Sequence, residues 1–148
     1  MIDLESRTAL IENIKTFFLP RKEIVLAYLY GSFAKGASHP HSDVDVAILL
    51  DESISVERYP YGYRSELIAD LMKLLRTNRI DLVVMNNASP FLKFQVVRYG
   101  LLILARSEAE RIDFHVKTIA KYNDIKPLLD IQHKYLSDRL KSGTFGKR

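Results

Sequence analysis

A chain of 148 residues, 47% hydrophobic and 27% charged, has the size and balance of one globular domain and lies far from disordered compositions. It contains no cysteine, which excludes disulfide scaffolds, zinc fingers, iron–sulfur sites and thiol nucleophiles. The net charge of +4 divides into −3 over residues 1–60 and +7 over residues 61–148, where interleaved acids and bases read as solvated helix faces.

Residues 3–18 carry Leu4, Leu10, Ile11, Ile14, Phe17 and Phe18 at helical spacing, and Pro20 ends that pattern. Ile24–Tyr30 is an apolar run stopped by Gly31, as suits a strand buried on both faces. Residues 33–42 read as a loop or short helix-and-turn, Val44–Leu50 as a second buried strand, and residues 51–63 as a mobile, Tyr-rich loop. A helix through Leu67, Leu71 and Leu74 leads to a third strand, Ile80–Met85. Ser89–Pro90 has the form of a helix start and Gly100 of its stop, before a fourth strand, Leu101–Ala105.

From Glu108 onward the pattern is helical, with stripes Ile112/Val116/Ile119 and Leu128/Ile131/Tyr135 on either side of a break expected at Pro127. The stripes read as core or partner-facing. The expected fold is therefore α/β: a small mixed central sheet flanked by helices, followed by a C-terminal helical pair. It forms one domain over residues 1–148, divided into a core (1–105), C-terminal helices (106–142) and a tail (143–148). The longest apolar runs are too short to span a bilayer, and Met1–Arg7 carries both signs, so neither a membrane span nor a signal peptide is expected. A cytoplasmic location follows as the expectation.

The informative stretch runs from Gly31-Ser32 at the end of one strand to Asp43-Val44-Asp45 at the start of the next. Residues i and i+2 of a strand share a face, roughly 6.5 Å apart, so Asp43 and Asp45 project together while Val44 and Val46 face the other way. Two ionised carboxylates on an apolar strand repel each other and lose hydration, and a divalent cation relieves both penalties. Magnesium, a hard ion that carboxylates share with substrate phosphates, suits the pair best. Gly31 permits close approach at a tight strand exit, and Ser32 with nearby N–H groups donates to phosphate oxygens. Asp81 opens a later apolar strand. If that strand lies beside Val44–Leu50, the three carboxylates meet at one edge and provide for two magnesium ions, placed for displacement at phosphorus.

Gly31-Ser32, ten residues, then Asp43-x-Asp45, with Asp81 on a later strand, resembles the minimal nucleotidyltransferase (MNT) family of the DNA polymerase β-like superfamily. The segments Asn87–Leu92, Arg98-Tyr99-Gly100, Arg111–Asp124 and Leu128–Gly146 are similar to the MNT antitoxins of HEPN/MNT toxin–antitoxin pairs. The resemblance implies a protein adenylyltransferase that moves AMP from ATP to a tyrosine of a partner HEPN ribonuclease toxin and silences it. It implies that Gly31 and Ser32 hold the triphosphate, that Asp43 and Asp45 bind both magnesium ions, and that Asp81 completes the site and helps activate the attacking hydroxyl. Lys35 stands where many relatives carry arginine.

Other residues read more plainly. His39 and His41 flank Pro40 in a segment read as solvated loop rather than a metal site, and Lys35 as a surface lysine. Tyr59, Tyr61 and Tyr63 are read as stacking on a base, touching a partner, or packing under their loop. No nucleic-acid-binding motif accompanies the basic residues. A Walker loop is excluded because Ala37-Ser38, not Lys-Ser, follows Gly36. Two rival functions remain: a small-molecule nucleotidyltransferase of the aminoglycoside type, which usually carries a larger C-terminal part, and a non-catalytic antitoxin acting by contact alone.

Overall fold

The computed structural model describes residues 4–36, 42–54 and 62–143. The elements are α1 (Leu4–Phe18), β1 (Ile24–Tyr30), α2 (Gly31–Ala34), β2 (Val44–Leu50), α3 (Tyr63–Leu75), β3 (Ile80–Val84), a 3-10 turn (Met85–Asn87), α4 (Pro90–Tyr99), β4 (Leu101–Ala105) and α5 (Glu108–Lys141). The strands form one mixed sheet in the order β3-β2-β1-β4, in which β2–β3 is the one parallel pairing of neighbours. This is the expected α/β domain with a small mixed sheet.

β1 is apolar throughout because it is central and covered on both sides. Ala27 and Leu29 turn to one face with Val44, Val46, Ile48 and Leu82, and pack under α1 and α3 through Ile14, Phe18, Leu67 and Leu71. Tyr28 turns to the other face with Ala47 and Met85, against Val96 of α4 and Phe114 of α5. Asp43, Asp45 and Asp81 belong by alternation to this second face, at the end of the strands.

Short polar contacts fix the joints. The Ser89 hydroxyl accepts from the Leu92 N–H at 3.2 Å ahead of Pro90, the expected helix start. The side-chain amide of Asn86 pairs with both backbone groups of Leu50, at 2.8 and 2.9 Å, and so prolongs the β2–β3 ladder past its end. Arg106 binds the carbonyls where α1 gives way to β1: Nε donates to Ile24 at 2.6 Å, and Nη2 lies 2.8–2.9 Å from the carbonyl oxygens of Phe18, Leu19 and Arg21. These are charge-assisted bonds to a helix C-terminus, where a cation is favoured. Arg106→Ala is expected to cost about 2 kcal/mol of stability by urea denaturation, and Arg106→Lys to recover only part of it, because an ammonium lacks the planar fork.

The C-terminal region differs from expectation. There is no helical pair, because α5 runs through Pro127 as a single helix of 34 residues, about 50 Å long. A proline removes one N–H and displaces the carbonyl of residue i−4, here Asn123. Asn123 and Pro127 are both exposed, so a carbonyl freed there is open to solvent, and the helix continues through the flanking turns. The face of α5 that meets the domain is also not the expected one. Phe114 enters the second core, Thr118 is buried, Tyr122 stacks on Phe94 with centroids 3.8 Å apart, and His115 shares a 2.6 Å hydrogen bond with the Tyr28 hydroxyl. Ile112, Val116 and Ile119, like Leu128, Ile131 and Tyr135, are exposed.

Tyr63 belongs to the first turn of α3 rather than to a mobile loop. It is buried, and its hydroxyl donates to Glu23 at 2.9 Å. His39, His41, Tyr59 and Tyr61 lie outside the described residues. Among the described residues no helix is long and apolar enough to cross a membrane.

Candidate active site

The sheet register brings three side chains into one row. Tyr30, the last residue of β1, is paired with Asp45 of β2, and Asp45 with Asp81 of β3. Asp43 lies two residues before Asp45, where the Val44 N–H donates to the Arg79 carbonyl at 2.8 Å and ties the start of β2 to the start of β3. Asp43, Asp45 and Asp81, with Asn78, Arg79 and Ile80, line an open cleft of about 530 Å³. The parallel β2–β3 pairing that the acidic trio required is therefore present.

Asp45 is half-buried and carries the electrostatic load of the row. Burial, then the charges of Asp81 and Asp43, push its carboxyl from 3.8 up to about 6. Asp81 has a cationic partner. Arg64 of α3 donates to it from Nη2 at 3.3 Å while its Nε holds the Leu82 carbonyl at 2.6 Å. Burial, then the charges of Asp81 and Asp45, push the Tyr30 phenol up to about 12, so it remains a neutral donor.

Gly31 lies against the same carboxylate. Its φ of +72° is in the left-handed region, and a Cβ built there would overlap Asp45 Oδ2 and stand 3.2 Å from its Cγ. Only glycine lets the chain leave β1 and enter α2 while Asp45 keeps its place. Ser32 follows in the first turn of α2, where backbone N–H groups have no partner within the helix. Lys35 closes α2 with its ammonium 5.7 Å from the centre of the Tyr99 ring, an exposed cation–π contact.

The donor set suits a hard divalent cation, being three carboxylates at one strand edge with their mutual repulsion unrelieved. As placed, no three His, Asp or Glu side chains among the described residues converge to hold one ion. Asp81 is instead paired with Arg64 at 3.3 Å. Sequence reasoning missed Arg64 and Tyr30. Tyr30 closes an apolar run and reads as core until the strand register is known, and Arg64 is one of several arginines on a helix flank.

A family model described as "Polymerase beta, Nucleotidyltransferase" matches residues 12–109. The protein adenylyltransferase MntA of Shewanella oneidensis is 31% identical over 105 residues, 70% of each chain. A crystal structure of a toxin–antitoxin with AMP-PNP superposes with a TM-score of 0.66 at 29% identity, over 87% of this chain and 98% of the other. A structure of the tri-AMPylated Shewanella oneidensis HEPN toxin in complex with MNT antitoxin gives a TM-score of 0.63 at 25% identity, over 91% and 98%.

Proposed function

The chain belongs to the polymerase β nucleotidyltransferase family, and from that premise we propose that it is an antitoxin that transfers AMP from ATP to a hydroxyl, a tyrosine's by the resemblance, of a partner HEPN ribonuclease toxin in the cytoplasm. The observation that carries this reading is the register row that sets Asp45 beside Asp81 in the lining of an open cleft, with Gly31 against Asp45. The open cleft suits an acceptor presented by another protein, and the chain is similar along most of its length to antitoxins solved with their toxins.

In this reading Gly31 and Ser32 bind the triphosphate through backbone N–H groups and the Ser32 hydroxyl. Asp43, Asp45 and Asp81 are the residues that would hold magnesium, two ions in the fullest form of the proposal. When bound, magnesium supplies neutralising charge at the α-phosphate and the departing pyrophosphate. Asp81, at the outer side of the row, receives the proton of the attacking hydroxyl. A new bond forms between that oxygen and the α-phosphorus, the bond to the pyrophosphate oxygen breaks, and AMP remains on the acceptor. The remaining contribution of the protein is to align attacking oxygen, phosphorus and leaving group.

The test is to incubate the protein, magnesium and the HEPN protein encoded beside it with ATP labelled at the α- or the γ-phosphate. Label from the α position is expected on the HEPN protein, none from the γ position, and none with Asp43→Ala. Label confined to small molecules, or toxin inhibition undiminished by Asp43→Ala, would overturn the proposal.

A further inference from the structure

The parallel pairing of β2 and β3 sets one arginine among the acids of the cleft, and from its position we propose that Arg79 is an acceptor-recognition residue, which receives an anionic group beside the hydroxyl that takes AMP. This rests on the nucleotidyl-transfer reading above and names what the site asks of its acceptor. Val44 is in register with Ile80, and Asp45 with Asp81. One step back along both strands Asp43 stands opposite Arg79, where the Val44 N–H donates to the Arg79 carbonyl at 2.8 Å. Residues two apart on a strand share a face. Asp43, Asp45, Asp81 and Arg79 therefore form one block across two strands, and all four line the same cleft. The Thr77 hydroxyl accepts from the Arg79 N–H at 3.1 Å, so both backbone groups of Arg79 are tied down.

The side of the block on which Arg79 stands decides which substrate it meets. The strand order is β3-β2-β1. Gly31, at the end of β1, lies against Asp45, and that is the side of the triphosphate in the reading above. Arg79 enters from the β3 side, with Asp81, the residue that takes the proton of the attacking hydroxyl in that reading. The acids of β2 thus stand between Arg79 and the triphosphate corner, two strand spacings apart, about 9–10 Å at the backbone. A guanidinium keeps its charge at any working pH, and its planar fork binds carboxylate or phosphate through two parallel hydrogen bonds. Bound cations would satisfy the acids, leaving the guanidinium to an anion that arrives with the acceptor. A carboxylate of the HEPN protein and a phosphate that the acceptor already bears offer the same chemistry.

The experiment compares wild type, Arg79→Ala and Arg79→Lys in the full chain, with HEPN protein as acceptor, both unmodified and already carrying AMP. The first readout is calorimetric binding of the HEPN protein to the chain loaded with Mn²⁺ and a non-hydrolysable ATP analogue, which needs no turnover. The second is the steady-state rate of AMP transfer at saturating ATP and magnesium. Arg79→Ala is expected to weaken HEPN binding and raise the KM for the HEPN protein about 10- to 100-fold, and to lower kcat less. Affinity for the analogue should stay within twofold and the melting temperature should not change. Arg79→Lys is expected to recover part of the loss, since an ammonium keeps the charge and lacks the fork. An effect on the unmodified acceptor identifies a partner carboxylate, and an effect confined to the AMP-bearing acceptor identifies a phosphate. Binding and KM within twofold of wild type for both acceptors would overturn the assignment, as would an equal loss of analogue affinity, which would make Arg79 a nucleotide contact. A wild type that binds the HEPN protein through Arg79 yet transfers no AMP to it would end the transfer reading and leave the assignment of Arg79 standing.

Discussion

Asp45→Asn is expected to lower AMP transfer by roughly a thousandfold or more and, in the same molecule, to stabilise the metal-free fold. On the proposed reading the loss follows from removing a ligand for a cation whose charge stabilisation is worth several kcal/mol in such reactions, each 1.36 kcal/mol being tenfold in rate. The gain follows from the carboxyl's surroundings. Asp45 is half-buried beside Asp81 and Asp43, and its carboxyl titrates near 6 in the folded protein against an ordinary 3.8. The folded state therefore holds this proton more tightly than the unfolded state does. Stability from this group is greatest at low pH, falls as pH rises from about 4 through about 6, and is fully lost above that.

The interval between those two values corresponds to about 3 kcal/mol before screening. Asp45 is open enough to solvent that about 1 kcal/mol is the realistic figure. Asparagine is nearly isosteric and carries no charge, so in EDTA the variant is expected to be more stable by that amount at pH 7.5 and indistinguishable at pH 4. Urea denaturation at the two pH values checks it. Equal stability at both would mean that Asp45 is under no strain. Added Mn²⁺ and an ATP analogue should narrow the difference from the other side, since only the wild type gains from binding.

Much of this site is legible in the sequence because its constraints are local. Gly31-Ser32 at a strand exit and Asp43-x-Asp45 at a strand entry follow from alternation and turn chemistry over fifteen residues. Asp81 is placed only once β2 and β3 are taken as neighbours, a long-range pairing that is nonetheless the simplest arrangement of two apolar strands flanking one helix. Tyr30 lies past that limit. Its place beside Asp45 depends on the register of β1 against β2, which no pattern in Ile24–Tyr30 reveals because every residue of that strand is apolar or aromatic.

α5 fails for a different reason. Apolar side chains lie on more than one of its faces, so helical periodicity alone offers Ile112/Val116/Ile119 as readily as Phe114/Thr118/Tyr122. The choice is made by Val96, Phe94 and Tyr28, residues of the domain it docks on. Pro127 misleads because a proline in an exposed helix leaves its orphaned carbonyl to water, and that cost does not suffice to end the helix.

Gly31→Ala tests whether the glycine serves the site or merely the turn. Two penalties coincide there. The backbone lies at φ +72°, where an L-residue costs about 1–2 kcal/mol, and the new methyl group would overlap the Asp45 carboxylate. Gly36 separates them, because its φ is +70° but a Cβ would meet only the end of the flexible Arg7 side chain at 3.3 Å. Both variants are expected to lose about 1–2 kcal/mol from the backbone term. Gly31→Ala is expected to lose more than Gly36→Ala, and to drop AMP transfer at least a hundredfold, since a displacement of about 1 Å at a reacting group is enough for that. Gly36→Ala should stay within a few-fold of wild type. The excess destabilisation of Gly31→Ala should also disappear in an Asp45→Ala background, where the atoms it strikes are gone. An excess that persists there would assign the effect to the turn alone and separate Gly31 from the carboxylate it faces.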